Sequence, residues 1–285
     1  MRVEHLSLRR RLYDRGLRGL LYLCGLITCA LLVFLIAYVF YRGLGGITWE
    51  FLSTQKSYIN QTDGILPNIL NTLYIILFSM VIVLPLGVGA AIYLTEYAAN
   101  RRLAAVLEFA TETLTGIPSI IFGLVGMLFF NQLLGFGYGI LAGGLTLVVM
   151  ILPTIVRTTQ ESLKTVPQAY REGALGLGAG KWRMVRTVVL PNAVDGIVTG
   201  CILAVGRIVG ESAALLFTAG MGSVVNSLWE AMTTSSGTLS VALYVYANEH
   251  ADVAAALAIA AILMVITLVI NVAATLAGKA LKKKQ

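Results

Sequence analysis

The 285-residue sequence predicts an all-α integral membrane protein with six transmembrane helices. Three observations lead there. The chain is 58% hydrophobic and 12% charged, with a mean hydropathy of +0.83, whereas a soluble domain carries about 25% charged residues. The apolar residues fall into six blocks, each close to the roughly 20 residues needed to cross a hydrocarbon core about 30 Å thick. The cations lie almost entirely in the segments between alternate blocks, which is the signature of topology rather than of a nucleic-acid surface.

In chain order, residues 1–19 form a basic tail and Leu20–Tyr41 the first span. Its apolar run is too long for a signal-peptide core, so it reads as an anchor. A loop at 42–68 follows on the outer (periplasmic) side, and then a main domain at 69–276. Within that domain the spans are Ile69–Leu94, Phe109–Phe130, Tyr138–Val156, Ala193–Ala219 and Val253–Leu276, and residues 277–285 are a second basic tail. The third span is interrupted by Pro118 and has Glu108 and Glu112 at its entrance. The outer segment 220–252 carries Trp229, Tyr244 and Tyr246 but no Lys or Arg, which suits a hairpin at the membrane interface.

Eighteen of the 21 Lys and Arg residues lie on one side of this arrangement, in the two tails and in the links after spans two and four. Only Arg42 and Lys56 lie on the other, and Arg207 falls inside span five. The positive-inside rule therefore puts both termini in the cytoplasm, which an even number of spans requires. Cys24, Cys29 and Cys201 sit inside apolar blocks without CxxC spacing and read as small hydrophobes. His5 and His250 are far apart, so no metal site is expected.

The link between spans four and five, about 161–191, carries the most information. Pro167 starts a turn, Gln168–Leu177 can form a short amphipathic helix, and Gly178 and Gly180 end it. The glycines do not make a nucleotide site. A P-loop needs G-x-x-x-x-G-K-[ST], but ahead of Gly180-Lys181 the first glycine position is Leu175, and the hydroxyl position is Trp182. Gly176-x-Gly178 likewise lacks the third glycine of a dinucleotide fingerprint.

Glu172-Gly173-Ala174, then Gly178, then Val188-x-Leu190-Pro191 resembles the EAA motif of type I ABC importer permeases, E-A-A-x3-G-x9-I-x-L-P, at the family spacing. Gly173 and Val188 depart conservatively from alanine and isoleucine. The resemblance implies the MetI-like permease architecture and an ABC transmembrane type-1 domain over 69–276. It also implies a coupling helix that docks on a separate ATPase subunit, with Glu172 as polar anchor and Gly178 at the turn. ATP and magnesium would then belong to the ATPase, with no cofactor on this chain and no bond chemistry of its own.

The stretches 64–72, 116–123, 152–159 and 206–219 are similar to PstA-type permeases of bacterial phosphate importers. That likeness implies phosphate as cargo and the bacterial cytoplasmic membrane as location. It implies as partners a PstC-type permease, two ATPase subunits and an external phosphate-binding protein. The family's G-E-T-A-P reads here Gly210-Glu211-Ser212-Ala213-Ala214, and losing the proline is expected to straighten the helix beyond Glu211.

The residues also point to an anion directly. Arg207 lies about 18 Å along a helix from Asp195, near mid-bilayer, where a charge is costly and marks a pathway or a pair. Glu211, one turn on, is expected to pair with Arg207 until an anion takes its place on the guanidinium. A permanent ion pair that fixes helix packing is the alternative. Arg157, beside Thr158 and Thr159, is a second candidate for the inward side, or an ordinary positive-inside anchor.

Overall fold

The computed structural model describes residues 8–57, 62–98, 100–249 and 251–283. Arg2, His5, His250 and Lys284, with the extremities of both basic tails, lie outside the described residues. The chain runs through α1 (Leu8–Gly43), α2 (Trp49–Ser53), β1 (Gln55–Ser57), β2 (Thr62–Ile65) and α3 (Leu66–Ile92). Next come α4 (Arg101–Thr115), α5 (Ser119–Gly126), α6 (Ile140–Thr165), α7 (Gln168–Gly176), α8 (Lys181–Met184) and α9 (Leu190–Gly210). It ends with α10 (Ala213–Thr218), α11 (Leu228–Thr233), α12 (Leu239–Asn248) and α13 (Val253–Lys283).

Among the described residues, five helical runs are long and apolar enough to cross a membrane, and the α4–α5 pair makes six if counted as one span. The predicted third span, Phe109–Phe130, is thus corrected: its two halves meet at 101°. Gly116 ends α4, and Pro118, extended at ψ 139°, starts α5. Proline removes a backbone donor and keeps the residue before it out of the α region. α4 is amphipathic rather than uniformly apolar, with Asn100 capping it by accepting from the N–H groups of Arg102 and Leu103.

The fifth predicted span is corrected too. One run from Lys181 to Gly210 passes through α8, a π-helical turn at Val185–Val189 and α9, then stops short of the predicted Ala219. α10 starts afresh after Glu211 and Ser212.

At the centre, α3, α6 and α9 pack on one another through Ile75, Val83, Leu147, Ile151, Ile155, Ala204 and Ile208. α9 approaches α6 where Gly196 and Gly200, one turn apart, face Ser162 and Thr158. A Cβ at either glycine would collide with those side chains, so small residues set the helix separation here. The Ser162 hydroxyl closes the contact by donating to the Ala193 carbonyl at 2.8 Å. α13 packs on α9 and α12, while α1 touches α13 mainly at its end, where Gly43 meets Leu257 and Ala258.

Two loops carry more structure than expected. The 42–68 segment holds α2 and an antiparallel β1–β2 hairpin, with Phe51 and Ile65 buried against Leu239, Tyr246 and Ile259. In the 220–252 segment, α12 is drawn into the bundle against α3 and α13, burying Tyr246, while Trp229 stays 82% exposed. Ser227 and Glu230 cap α11 reciprocally. The Ser227 backbone N–H, then its hydroxyl, hold the Glu230 carboxyl below the usual range.

Candidate functional site: an exposed coupling loop and a charged helix break

Pro167 forces Val166 into extended backbone, so α6 ends at Thr165 and the chain turns directly into α7. α7 covers Gln168–Gly176, close to the expected Gln168–Leu177. It closes with a Schellman pair: Ala179 N–H donates to the Ala174 carbonyl at 3.1 Å, and Gly178 N–H to the Leu175 carbonyl at 2.9 Å. Gly178 takes φ +83°, the left-handed conformation that motif needs. Gly180 then caps α8.

The motif splits between two faces. Glu172, Gly173 and Gly178 are exposed, and Leu177 beside them is 92% exposed. Ala174 and Leu190 turn inward, packing on a cluster of Ala91, Leu163, Met184, Val185 and Val189. Pro191, half-buried, occupies the first turn of α9. The loop therefore offers one polar and apolar outer face on a fixed apolar base. Tyr170, Leu175 and Trp182 enlarge that face.

An ion pair that the spacing did not reveal fastens this loop. Arg171 donates twice to Glu96 Oε1, at 3.1 and 3.0 Å, and to the carbonyls of Val166 and Leu163 at 2.6 and 2.8 Å. Its side chain is 12% exposed and that of Glu96 is 7% exposed. Nearby, Lys181 Nζ lies 5.0 Å from the centre of the Tyr97 ring.

At the other end of α9, the expected Arg207–Glu211 pair does not form. Among the described residues no carboxylate pairs with Arg207, which is half-buried in the last turn of α9. Glu211 is the cap at which the chain leaves the helix, at φ −82°, ψ 116°. It is buried, and its Oε1 accepts from the Ala214 N–H at 3.0 Å, at the start of α10. The Ser240 hydroxyl donates to the Glu211 carbonyl at 2.7 Å. The helix thus breaks without the family's proline, contrary to the expected straightening, because side chains satisfy the backbone groups the break exposes.

The break is held from the outer-loop side by a buried polar set. Asn68 and Asn71 both donate to the Gly237 carbonyl, at 2.9 and 3.2 Å, and Thr72 accepts from Leu239 N–H at 2.9 Å. Two amides and a hydroxyl at the start of an apolar helix are a readable sign of inward polar work, since such groups need partners when buried. Gly206 and Gly210, flanking Arg207, border open space: a Cβ at either would meet nothing within 4 Å.

Arg157 is placed elsewhere. α6 continues to Thr165, so Arg157 lies within the helix, not at its end. It is 62% exposed and pairs with Glu161 at 3.1 Å. It lines a cleft of about 200 Å³ between α4 and α6, with Glu108, Glu112, Gln160 and Lys164, and that cleft includes neither Arg207 nor Glu211. Thr158, its neighbour in the chain, is committed to the Gly200 contact and to the Thr154 carbonyl at 2.8 Å.

Residues 83–283 match the family described as the binding-protein-dependent transport system inner membrane component. The Bacillus subtilis (strain 168) protein named "Probable ABC transporter permease protein YqgI" is 40% identical over 214 residues, 75% of this chain and 73% of that protein. The phosphate transport system permease protein PstA of Xylella fastidiosa (strain 9a5c) is 37% identical over 178 residues, 62% of each chain. A solved bacterial ABC transporter involved in importing the acidic polysaccharide alginate superposes with a TM-score of 0.60. That match covers 95% of this chain and 99% of that one; at 16% identity it speaks for the fold alone. A matched segment running from within α3 to the end of α13 includes the coupling loop and the charged break, and the chain belongs to the binding-protein-dependent transport system inner membrane component family.

Proposed function

We propose that this chain is the PstA-like permease subunit of an ATP-driven phosphate importer in the bacterial cytoplasmic membrane. The observation that carries the reading is α7, a short capped helix whose Glu172 and Leu177 stand outside a fixed apolar base. Such a helix is shaped to enter a groove on another protein. Two ATPase subunits would bind ATP and magnesium, receive Glu172, Gly173 and Gly178, and move α7. Ala174, Leu190 and Pro191 would pass that motion into α9. A PstC-type permease would complete the pathway, and an external phosphate-binding protein would deliver the cargo. The cation distribution supports placing both termini in the cytoplasm.

The PstA name of one relative supports phosphate, and so does a guanidinium without a carboxylate partner among the described residues, set between two glycines that leave space beside it. A guanidinium fork matches phosphate oxygens and cannot be deprotonated. Glu211 acts in this reading as the post of the α9–α10 break that sets the position of Arg207, rather than as its counter-ion. Arg157, tied to Glu161 among further carboxylates, has the weaker case and would act only after the inward side opens.

The test is labelled-phosphate uptake in cells lacking the chromosomal copy, with sulfate and a phosphonate as competitors. Arg207→Ala is expected to reduce uptake at least about tenfold, the loss of one interaction of about 1.4 kcal/mol, while the ATPase subunit still co-purifies. Wild-type uptake in that variant rejects the pathway role of Arg207, and stronger competition by sulfate than by unlabelled phosphate rejects the cargo.

A further inference from the structure

α7 is joined covalently to α6 through Pro167 and to α9 through α8, but α3 is remote in the chain. Its link to the loop is lateral. The π-helical turn Tyr93–Tyr97 extends α3 to the level of α7 and delivers Glu96 to Arg171. Arg171 is the residue immediately before Glu172, so it sits on the helix that the ATPase is read to push. Its guanidinium also occupies the Val166 carbonyl and shares the Leu163 carbonyl with the Val166 N–H that caps α6. One planar group thus ties α3, α6 and α7 at a single point, with both charged side chains largely withdrawn from solvent. A charge pair this buried is held in one geometry, because separating it leaves an uncompensated charge in low dielectric.

We propose that Glu96 and Arg171 are positioning residues that make α3 move with the coupling helix, so that α7 drives one transmembrane helix laterally besides α6 and α9, to which it is joined in the chain. The idea rests on the coupling-loop reading. A purely apolar contact allows α7 to slide over its base; the two hydrogen bonds from Arg171 to one carboxylate oxygen, together with its two hydrogen bonds to carbonyls, fix both distance and rotation. The Lys181–Tyr97 contact adds a second lateral tie on the same turn.

The test uses the complete reconstituted complex in proteoliposomes and the Glu96→Gln variant, which keeps the shape and the Arg171–carbonyl bonds but removes the charge. ATP hydrolysed per labelled phosphate imported is expected to rise roughly tenfold, within the usual range of coupling free energies between sites, with hydrolysis retained. A second measurement does not depend on the cargo. In a background with Cys24, Cys29 and Cys201 replaced, spin labels are placed at Gln168 in the first turn of α7 and at Leu73 on α3. The label separation is expected to stay constant on adding ATP and magnesium to the otherwise unaltered complex, and to change in Glu96→Gln. The proposal is overturned by an unchanged ATP-to-phosphate ratio, by uptake and hydrolysis falling together, or by a separation that responds to ATP equally with and without Glu96. Failure of both Glu96→Gln and Glu96→Asp to assemble also overturns it, by making the pair a folding element. If the unaltered complex imports no phosphate, the cargo assignment fails while the label measurement still decides this one.

Discussion

Two glycines five residues apart on the coupling loop have opposite roles, and their surroundings show why. Gly173 lies inside α7 with helical backbone, and a Cβ added there would meet nothing within 4 Å. Gly178 is equally open but sits at φ +83°. Gly173→Ala should therefore strengthen α7 by up to about 1 kcal/mol. Gly178→Ala should weaken its closure by about 1–2 kcal/mol, the left-handed penalty for an L-residue. The measurement is ATPase-subunit affinity for the detergent-solubilised permease: equal or tighter with Gly173→Ala, and weaker by about tenfold with Gly178→Ala. Equal affinities for the two variants would show that cap geometry does not matter to docking. Glu172 and Gly178 were legible in the sequence because the motif is local. Arg171, next to Glu172, was not, because its partner Glu96 is 75 residues away and no periodicity connects them.

Among the elements, helix length and polarity were legible while direction was not. Hydropathy sums over a window and records neither the 101° turn at Gly116–Pro118 nor the break after Gly210. Pro118 marked the first of these. The second had no proline to mark it, and it depends on Glu211, Ser240 and Ala214 meeting in space. The two broken helices also support each other. A Cβ on Gly123 of α5 would lie 2.8 Å from the Ala214 Cα of α10, and backbone cannot yield as a side-chain tip does. Gly123→Ala should cost about 1–3 kcal/mol through overpacking and lower the unfolding temperature of the purified protein. Gly89→Ala, which meets nothing within 4 Å, is the control. Equal unfolding temperatures for the two variants would mean that α5 and α10 separate freely.

For the whole molecule, the charge asymmetry makes an orientation testable without reference to cargo. In the cysteine-replaced background, Trp229→Cys in the outer loop should react with a membrane-impermeant thiol reagent in spheroplasts. Lys279→Cys near the C-terminus should react only after permeabilisation, and labelling of both from outside would invert or abolish the six-span topology. The bundle itself has a solid centre of α3, α6 and α9 and a loosely attached first helix, whose apolar window is 0% buried within the chain. Lipid or a partner must cover α1, since its contacts lie mostly at the Gly43 end. Against that plan the joint at Glu211 has a consequence of its own. A helix interrupted by proline stays interrupted, because the missing donor is covalent. This one has its donors in place and is held open by a carboxylate that accepts from the Ala214 N–H and a hydroxyl that donates to the Glu211 carbonyl. The interruption of the fifth span therefore rests on hydrogen bonds from two side chains rather than on a missing backbone donor.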